Sequence, residues 1–352
     1  MNDAYAGRRV LVTGGLGFIG SNLARALVEA GARVVLVDSL VPEYGGNRAN
    51  IAGIEDRVIV NVSDVRDPHS FRSLVEGQDF LFNLAGQTSH LDSMTDPATD
   101  LAINAAAQLS ILEACRRHNP LAKIVFASTR QIYGRPQYLP VDERHPIAPT
   151  DVNGINKAAG EAYHMLYGQV HGLRVVALRL TNTYGSGMRV RDARQTFLGI
   201  WIRAVLTGEE FEIWGDGTQR RDLLFVDDAV RAFLLAGARE KAVGEVFNVG
   251  RPESVTLGEL AETLVGLAGQ GSFRIVPFPP ERRAIDIGDF YADDGKIRAA
   301  LGWSATVPLA EGLRRTLDYY REHGVTESVL RVPSAPRDVV MPVLDRFARE
   351  YL

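Results

Sequence analysis

Three glycines, Gly14, Gly17 and Gly20, stand between an apolar strand pattern and a helix pattern. Arg9 to Thr13 reads as a short buried strand, and Ser21 to Glu29 as a helix ended by Gly31. In that setting one glycine permits the tight turn, one lets backbone approach a pyrophosphate, and one lets the helix pack on the strand. The helix start, with Phe18 and Ile19, offers free N–H groups and the positive end of its dipole to the phosphates. Val34 to Val37 is a second apolar strand, and Asp38 closes it 18 residues after Gly20. A carboxylate there accepts both ribose hydroxyls and repels a ribose phosphate. The expected ligand is therefore NAD(H) rather than NADP.

The strand–helix alternation continues. Val58 to Val60, Phe80 to Asn83, Ile124 to Ala127 and Val175 to Leu178 are further apolar strands. Helices are expected at about Ser70 to Glu76, Leu101 to His118 and Asn156 to His171. Short all-apolar strands alternating with helices predict a parallel sheet covered on both faces. The expected fold is α/β: a Rossmann doubly wound sheet over residues 1–180 with a smaller C-terminal α/β substrate lobe over 181–322. Leu223 to Ala236 and Val246 to Val249 still look like sheet and helix material, so a segment of about 220–250 is expected to return to the first domain. Residues 323–352 read as a tail, either partner-facing or docked on its own domain, with an amphipathic stretch from Val343 to Leu352.

Composition removes several classes. The net charge is −4, which offers no basic field for nucleic acid. No apolar run approaches ~18 residues, so no membrane span is expected. The N-terminus lacks the apolar core of a signal peptide. The one cysteine, Cys115, cannot form an intramolecular disulfide. These features fit a cytoplasmic protein, and no metal site is expected.

Other positions extend the dinucleotide site. Asp64, beside Val65, follows the third strand and could meet the adenine amino group or cap a helix; Asp67 suits the cap better. Leu84, Ala85 and Gly86 follow the fourth strand, where small residues let a ribose lie on the backbone. Asn104, polar in an apolar helix, could brace that loop or face a polar neighbour.

The motifs TGGLGFIG, NLAGQTSH, ASTRQIYG, NGINKAAGE, RLTNTYG and QRRDLLFVDD occur in this order between about Arg8 and Arg321. In this the chain resembles extended short-chain dehydrogenases/reductases acting on nucleotide sugars, UDP-glucose 4-epimerases among them. The resemblance implies permanently held NAD and oxidation of a sugar carbon by hydride transfer. A Tyr–x–x–x–Lys pair and a Ser or Thr then move the proton: the lysine holds the nicotinamide ribose and lowers the tyrosine pKa, and the tyrosinate is the base.

Lys157 matches the lysine and Thr129 the hydroxyl residue. The tyrosine position is Asn153, and asparagine is no base near neutral pH. Three readings stay open. Another group takes the proton, with Tyr133, His90, Tyr184 or a water held by Asn153 as candidates. Alternatively the substrate arrives as a ketone, or the protein binds NAD and sugar nucleotide without turnover. For His90 the plainer expectation is a loop histidine on solvent. For Tyr133 it is packing against the sugar.

Related 4,6-dehydratases carry Asp–Glu directly after the threonine, and decarboxylases a Glu at the second position. Here Arg130 and Gln131 stand there. What remains closest is 4-epimerisation of a UDP- or dTDP-hexose, with reductase, dehydratase or decarboxylase as alternatives. Arg221 and Arg283 align with the arginines that hold the substrate diphosphate in epimerases, although Ile285 replaces the usual glycine near the second. The plainer alternative is surface arginines paired with Asp222 or Asp286. Asn182 resembles the asparagine on the substrate phosphate or sugar, Gln87 is a further expected substrate contact, and Trp214 to Gly217 resembles the turn over the nucleotide base. Arg189, Arg191 and Arg194 could clamp an anionic sugar or form a solvated loop. In relatives the helices at about Leu101 to His118 and Asn156 to His171 pair across a two-fold axis, so a homodimer is expected.

Overall fold

The computed structural model describes residues 2–325, apart from Gly45, Pro68, Ala193, Gln195, residues 280–282 and Ala284. The tail from residue 326 on, with its amphipathic stretch, lies outside the described residues.

The apolar runs form β1 (Arg9–Thr13), β2 (Arg33–Asp38), β3 (Val58–Val62), β4 (Phe80–Asn83), β5 (Lys123–Thr129) and β6 (Arg174–Leu180). Then follow β7 (Asn182–Tyr184), β8 (Glu210–Trp214), β9 (Arg220–Arg221), β10 (Leu223–Phe225) and β11 (Val246–Val249). Seven of these make one sheet in the order β11-β6-β5-β4-β1-β2-β3, and every pairing in it is parallel. This is the Rossmann-like α/β fold expected from the strand–helix alternation.

Successive strand residues serve opposite faces. Val10 and Val12 are buried in one core with Leu36, Phe82, Val125 and Val176. Leu11, between them, is buried in a second core with Val37, Leu81, Ile124 and Val175. Each such side chain contributes roughly 1.5–3 kcal/mol by leaving water, which is why these strands are apolar on both faces.

Helices α1 (Phe18–Glu29), α2 (Ser70–Val75), α3 (His90–Thr95), α4 (Pro97–Leu101), α5 (Ala107–His118) and α6 (Val152–His171) belong to the first half. Boundaries differ from the sequence reading at two places that matter for the site. The helix expected from Leu101 is interrupted by a π-helical turn at Ala102–Ala106. Helix α6 begins a turn before Asn156, because the Asp151 side chain accepts from the Gly154 N–H at 2.7 Å and caps it.

Past β6 the chain places α7 (Phe197–Thr207), then α8 (Val226–Ala238) just before β11, then α9 (Leu257–Ala268). Strand β11 pairs with β6, Val246 opposite Ala177 and Val249 opposite Leu180. The late segment thus completes the edge of the early sheet. A second parallel pair joins β8 to Ser272–Val276. Strand order reverses between β1 and β4, and the crevice at the carboxyl ends there is where such sheets bind ligands.

Candidate active site

A cleft of about 430 Å³ opens along the carboxyl ends of the parallel strands. Gly14, Gly17, Phe18, Ile19 and Gly20 line one end. Gly14 has φ +65°, and a Cβ there would lie 3.0 Å from the Leu84 carbonyl. A Cβ on Gly20 would lie 2.1 Å from the Gly14 oxygen, so helix start and turn touch only because both are glycine. Helix α1 begins at Phe18, earlier than Ser21, and its first-turn N–H groups face this end with no intrahelical acceptor.

Asp38 also lines the cleft. Its carboxylate accepts from Leu16 N at 3.1 Å and Leu40 N at 2.9 Å, which fixes its orientation. Burial raises its pKa, against those two amide bonds. Asp64 and Val65 line the cleft as well, and Asp64 is held in a fork by Arg66 at 2.9 and 2.5 Å. The Arg66 hydrogen bond keeps the Asp64 carboxyl below its ordinary range.

Leu84, Ala85 and Gly86 form the floor. Thr13 Oγ1 accepts from the Leu84 and Ala85 N–H groups at 3.1 and 3.0 Å and donates to Asn83 at 2.8 Å. Gly86 leaves no room for a side chain: a Cβ there would lie 2.9 Å from Asn104 Oδ1 and 3.4 Å from Lys157 Nζ, so only bare backbone faces the cleft here. Asn104 Nδ2 donates to Gln87 O at 2.9 Å, so this residue braces the loop. Its Oδ1 is buried without a partner. Glycine approach, a ribose carboxylate, a bare floor and an orphaned acceptor beside a lysine together fit NAD.

Lys157 lies one turn beyond Asn153 on α6. Its Nζ donates to Ala127 O at 2.8 Å and lies 4.8 Å from the Phe126 ring centre. Burial pulls its pKa down to about 8, and the charges of Asp100 and Glu161 oppose that.

Asn153 is fully buried. Its Nδ2 donates to Gln87 O at 2.8 Å and to Asp100 Oδ2 at 2.8 Å. Asp100, itself buried, also accepts from Asn104 at 3.1 Å and Asn156 at 2.8 Å. Where relatives are expected to hold a phenol, this chain holds an amide that ties a carboxylate into the fold. Asn153 Oδ1 is buried without a partner, like Asn104 Oδ1.

The proton-carrier candidates separate. Tyr133 is corrected: it is fully buried, donates to Asn248 at 2.6 Å and accepts from Arg179 at 2.7 Å. Burial pushes its pKa up to about 12. Tyr184 is corrected too, since its hydroxyl donates to Leu309 O at 3.2 Å, away from the cleft. His90 opens a helix, α3, not a loop, and its partly exposed side chain also faces the cleft. It lines the cleft beside Thr129, Gln131 and Asn153, and its Nδ1 contacts Asp151 Oδ2. Sequence reading missed Asp151. Its position before α6 signals a cap, but nothing local ties it to a histidine 61 residues away.

At the sugar end, Gln87, Thr129 and Asn182 line the cleft, as do Arg130, Arg194 and Trp214. Arg130 Nη2 donates to Asn182 Oδ1 at 3.1 Å, while Arg130 Nη1 and Asn182 Nδ2 are buried donors without acceptors. Burial, then the Arg221 charge, lower the Arg130 pKa to about 10. The structure does not bring Arg221 or Arg283 to the cleft lining. Arg221 donates to Gly288 O at 2.5 Å and lies 3.9 Å from Asp286, and Arg283 is exposed. Arg189 and Arg191 reach the Pro42 carbonyl, and Arg189 also forks onto Asp192 at 2.6 Å.

A dinucleotide crevice at a sheet switch point, with Lys157 and Thr129 beside its floor, defines a short-chain dehydrogenase/reductase-type site. The chain belongs to the NAD-dependent epimerase/dehydratase family, whose model matches residues 10–250. NAD is the cofactor of this family. The chain is 31% identical to a putative UDP-glucose 4-epimerase of Methanocaldococcus jannaschii, covering 90% of this chain and 100% of that one. It is 33% identical to a dTDP-glucose 4,6-dehydratase of Streptomyces niveus, covering 92% and 96%. Among solved structures it resembles a UDP-glucuronic acid 4-epimerase of Bacillus cereus in complex with UDP-glucuronic acid and NAD. That likeness has a TM-score of 0.80 at 28% identity, over 89% of this chain and 99% of that one.

Proposed function

We propose that this protein is a nucleotide-sugar 4-epimerase acting on a UDP- or dTDP-hexose through a transient 4-keto sugar. One observation carries this reading. Among the described residues lining the cleft, the only carboxylates are Asp38 and Asp64, at the adenosine end. Water elimination needs an acid–base pair beside the threonine, and Arg130 and Gln131 stand there. Oxidation and return of the same hydride need neither that pair nor an external reductant.

Bound NAD supplies the hydride acceptor. Lys157 holds the nicotinamide ribose, and its desolvated ammonium adds positive potential beside the reacting carbon. Thr129 orients the sugar hydroxyl. Gln87 and Asn182 contact the substrate, with Asn182 and Arg130 presenting unmet donors to it. Motif context assigns the diphosphate to Arg221 and Arg283, in a substrate lobe of residues 181–322. Alanine at Arg221 should raise KM for a UDP-sugar by ~10–100-fold, the scale of a lost charge-assisted hydrogen bond; an unchanged KM removes it from the grip.

A cytoplasmic homodimer completes the proposal. Leu166 and Val170 on α6 are 49% and 62% exposed, as an intersubunit helix face would leave them in one copy. Among the described residues no helix is long and apolar enough to cross a membrane. The test is incubation of purified protein with UDP-glucose, UDP-glucuronate and dTDP-glucose, without added NADH. One pair of 4-epimers should interconvert; a dehydrated or decarboxylated product, or none, overturns the reading.

A further inference from the structure

The polar side chains around Thr129 form one chain. Thr129 Oγ1 lies 3.4 Å from Gln131 Oε1, the Gln131 amide nitrogen contacts His90 Nε2, and His90 Nδ1 contacts Asp151 Oδ2. Asp151 comes from the cap of α6, two residues before Asn153, and its side chain is 3% exposed, while that of His90 is 38% exposed. A carboxylate accepts only, so Nδ1 must carry the proton and Nε2 is left with its lone pair. That lone pair meets the Gln131 amide nitrogen, which also lies 3.2 Å from Nδ1, and the same amide reaches Thr129 through its Oε1.

We propose that His90, oriented by Asp151, is the general base for the sugar hydroxyl and replaces the tyrosine that Asn153 displaces. The inference rests on the epimerase reading. When the sugar C4–H and O4–H bonds break, the hydride goes to bound NAD and the proton to Nε2. The O–H electron pair becomes the second C–O bond. Both hydride and proton return on reduction, so no other reactant is needed. The substrate hydroxyl takes the place of the Gln131 amide at Nε2, while Thr129 holds that hydroxyl from the other side. Asp151 stabilises the imidazolium and is a positioning residue.

The charges near this pair are few. Arg130 acts on Asp151 electrostatically, and Asp92 on α3 is paired with Arg194 at 3.1 Å. Burial works against the Asp151 carboxylate, but the His90 hydrogen bond and charge, the Gly154 N–H and Arg130 hold it below the ordinary range. It therefore stays ionised under the imidazole.

The test uses the NAD-loaded protein and whichever of UDP-glucose, UDP-glucuronate or dTDP-glucose it epimerises. His90→Asn keeps a donor toward Asp151 and removes the base. Its kcat should fall ~10²–10⁴-fold, and the acidic limb of the wild-type pH profile should vanish. Asp151→Asn retains a helix cap but loses the charge; kcat should fall more than KM changes. The second readout is independent of turnover. Diethyl pyrocarbonate should modify His90, detected by peptide mass, and the sugar nucleotide should protect it. NAD content and melting temperature report folding of each variant, and His90→Gln replaces any that fails to fold. Wild-type turnover in a folded His90 variant, or modification unaffected by saturating sugar nucleotide, overturns this proposal alone. No turnover by the wild-type protein on any substrate overturns the epimerase reading and this proposal together.

Discussion

Asp100 has almost no water around it and three asparagine amides on it, from Asn104, Asn153 and Asn156. A buried carboxylate is tolerable only when its lone pairs are met. Asn153→Ala removes one donor, and the expected loss is ~1–3 kcal/mol of unfolding free energy, read from urea midpoints with and without NAD. An unchanged midpoint would show that Asn153 is no brace. Lys157 gives a pH-dependent expectation. Its folded-state pKa is depressed by burial to about 8 from 10.5. Between those values the unfolded chain holds the proton and the folded one does not, so stability from this group rises with pH across that window. Lys157→Met in dinucleotide-free protein should therefore be most stabilised relative to wild type below pH 8. The gain should shrink toward pH 10.5, and a pH-independent difference would contradict the buried ammonium.

At the scale of elements, the cleft depends on α6 lying close to the π-helical turn. A Cβ on Gly160 would lie 2.6 Å from the Asn104 carbonyl and 3.4 Å from the Phe126 ring. Gly160→Ala must push that turn away. Overpacking of this kind costs typically ~1–3 kcal/mol, and displacement of Asn104 from the floor should weaken NAD binding as well, measured by dinucleotide titration. Retained affinity would mean that the turn does not set the floor. This element also marks what sequence can reveal. Gly14, Gly20 and Asp38 were legible because backbone conformation and strand ends constrain them locally. The parallel sheet followed from the same alternation, but its strand order did not. The π turn was not legible, because an unbroken apolar pattern gives no sign of one extra residue per turn. Nor were the pairs His90–Asp151 and Asp100–Asn153, whose partners lie 61 and 53 residues apart. The α6 start was missed because Val152, Asn153 and Gly154 are poor helix formers, and the Asp151 cap outweighs that.

For the whole molecule, the return of β11 to β6 is decisive. A chain cut at residue 180 would leave β6 as a bare edge, with Ala177 to Leu180 unpaired, and exposed apolar edges aggregate. A 1–180 fragment should therefore be insoluble or unfolded, while residues 1–325 should fold; circular dichroism and sedimentation distinguish them. A folded, soluble 1–180 would show the early sheet to be self-sufficient. The proposed dimer is tested at the same scale: Leu166→Glu should shift sedimentation toward the monomer, and a monomeric wild-type protein refutes it.

The knot of amides on Asp100 also bears on how such a site can change. Asparagine and tyrosine codons differ by a single nucleotide, so a tyrosine is one mutation away from position 153. Yet a phenol entering there would meet a fully packed space, strip a donor from Asp100 and press on Gln87. The genetic step is short and the structural one is long. A tyrosine at 153 would need room made beside Asp100 and Gln87, so the change at this position and the changes around it are structurally linked.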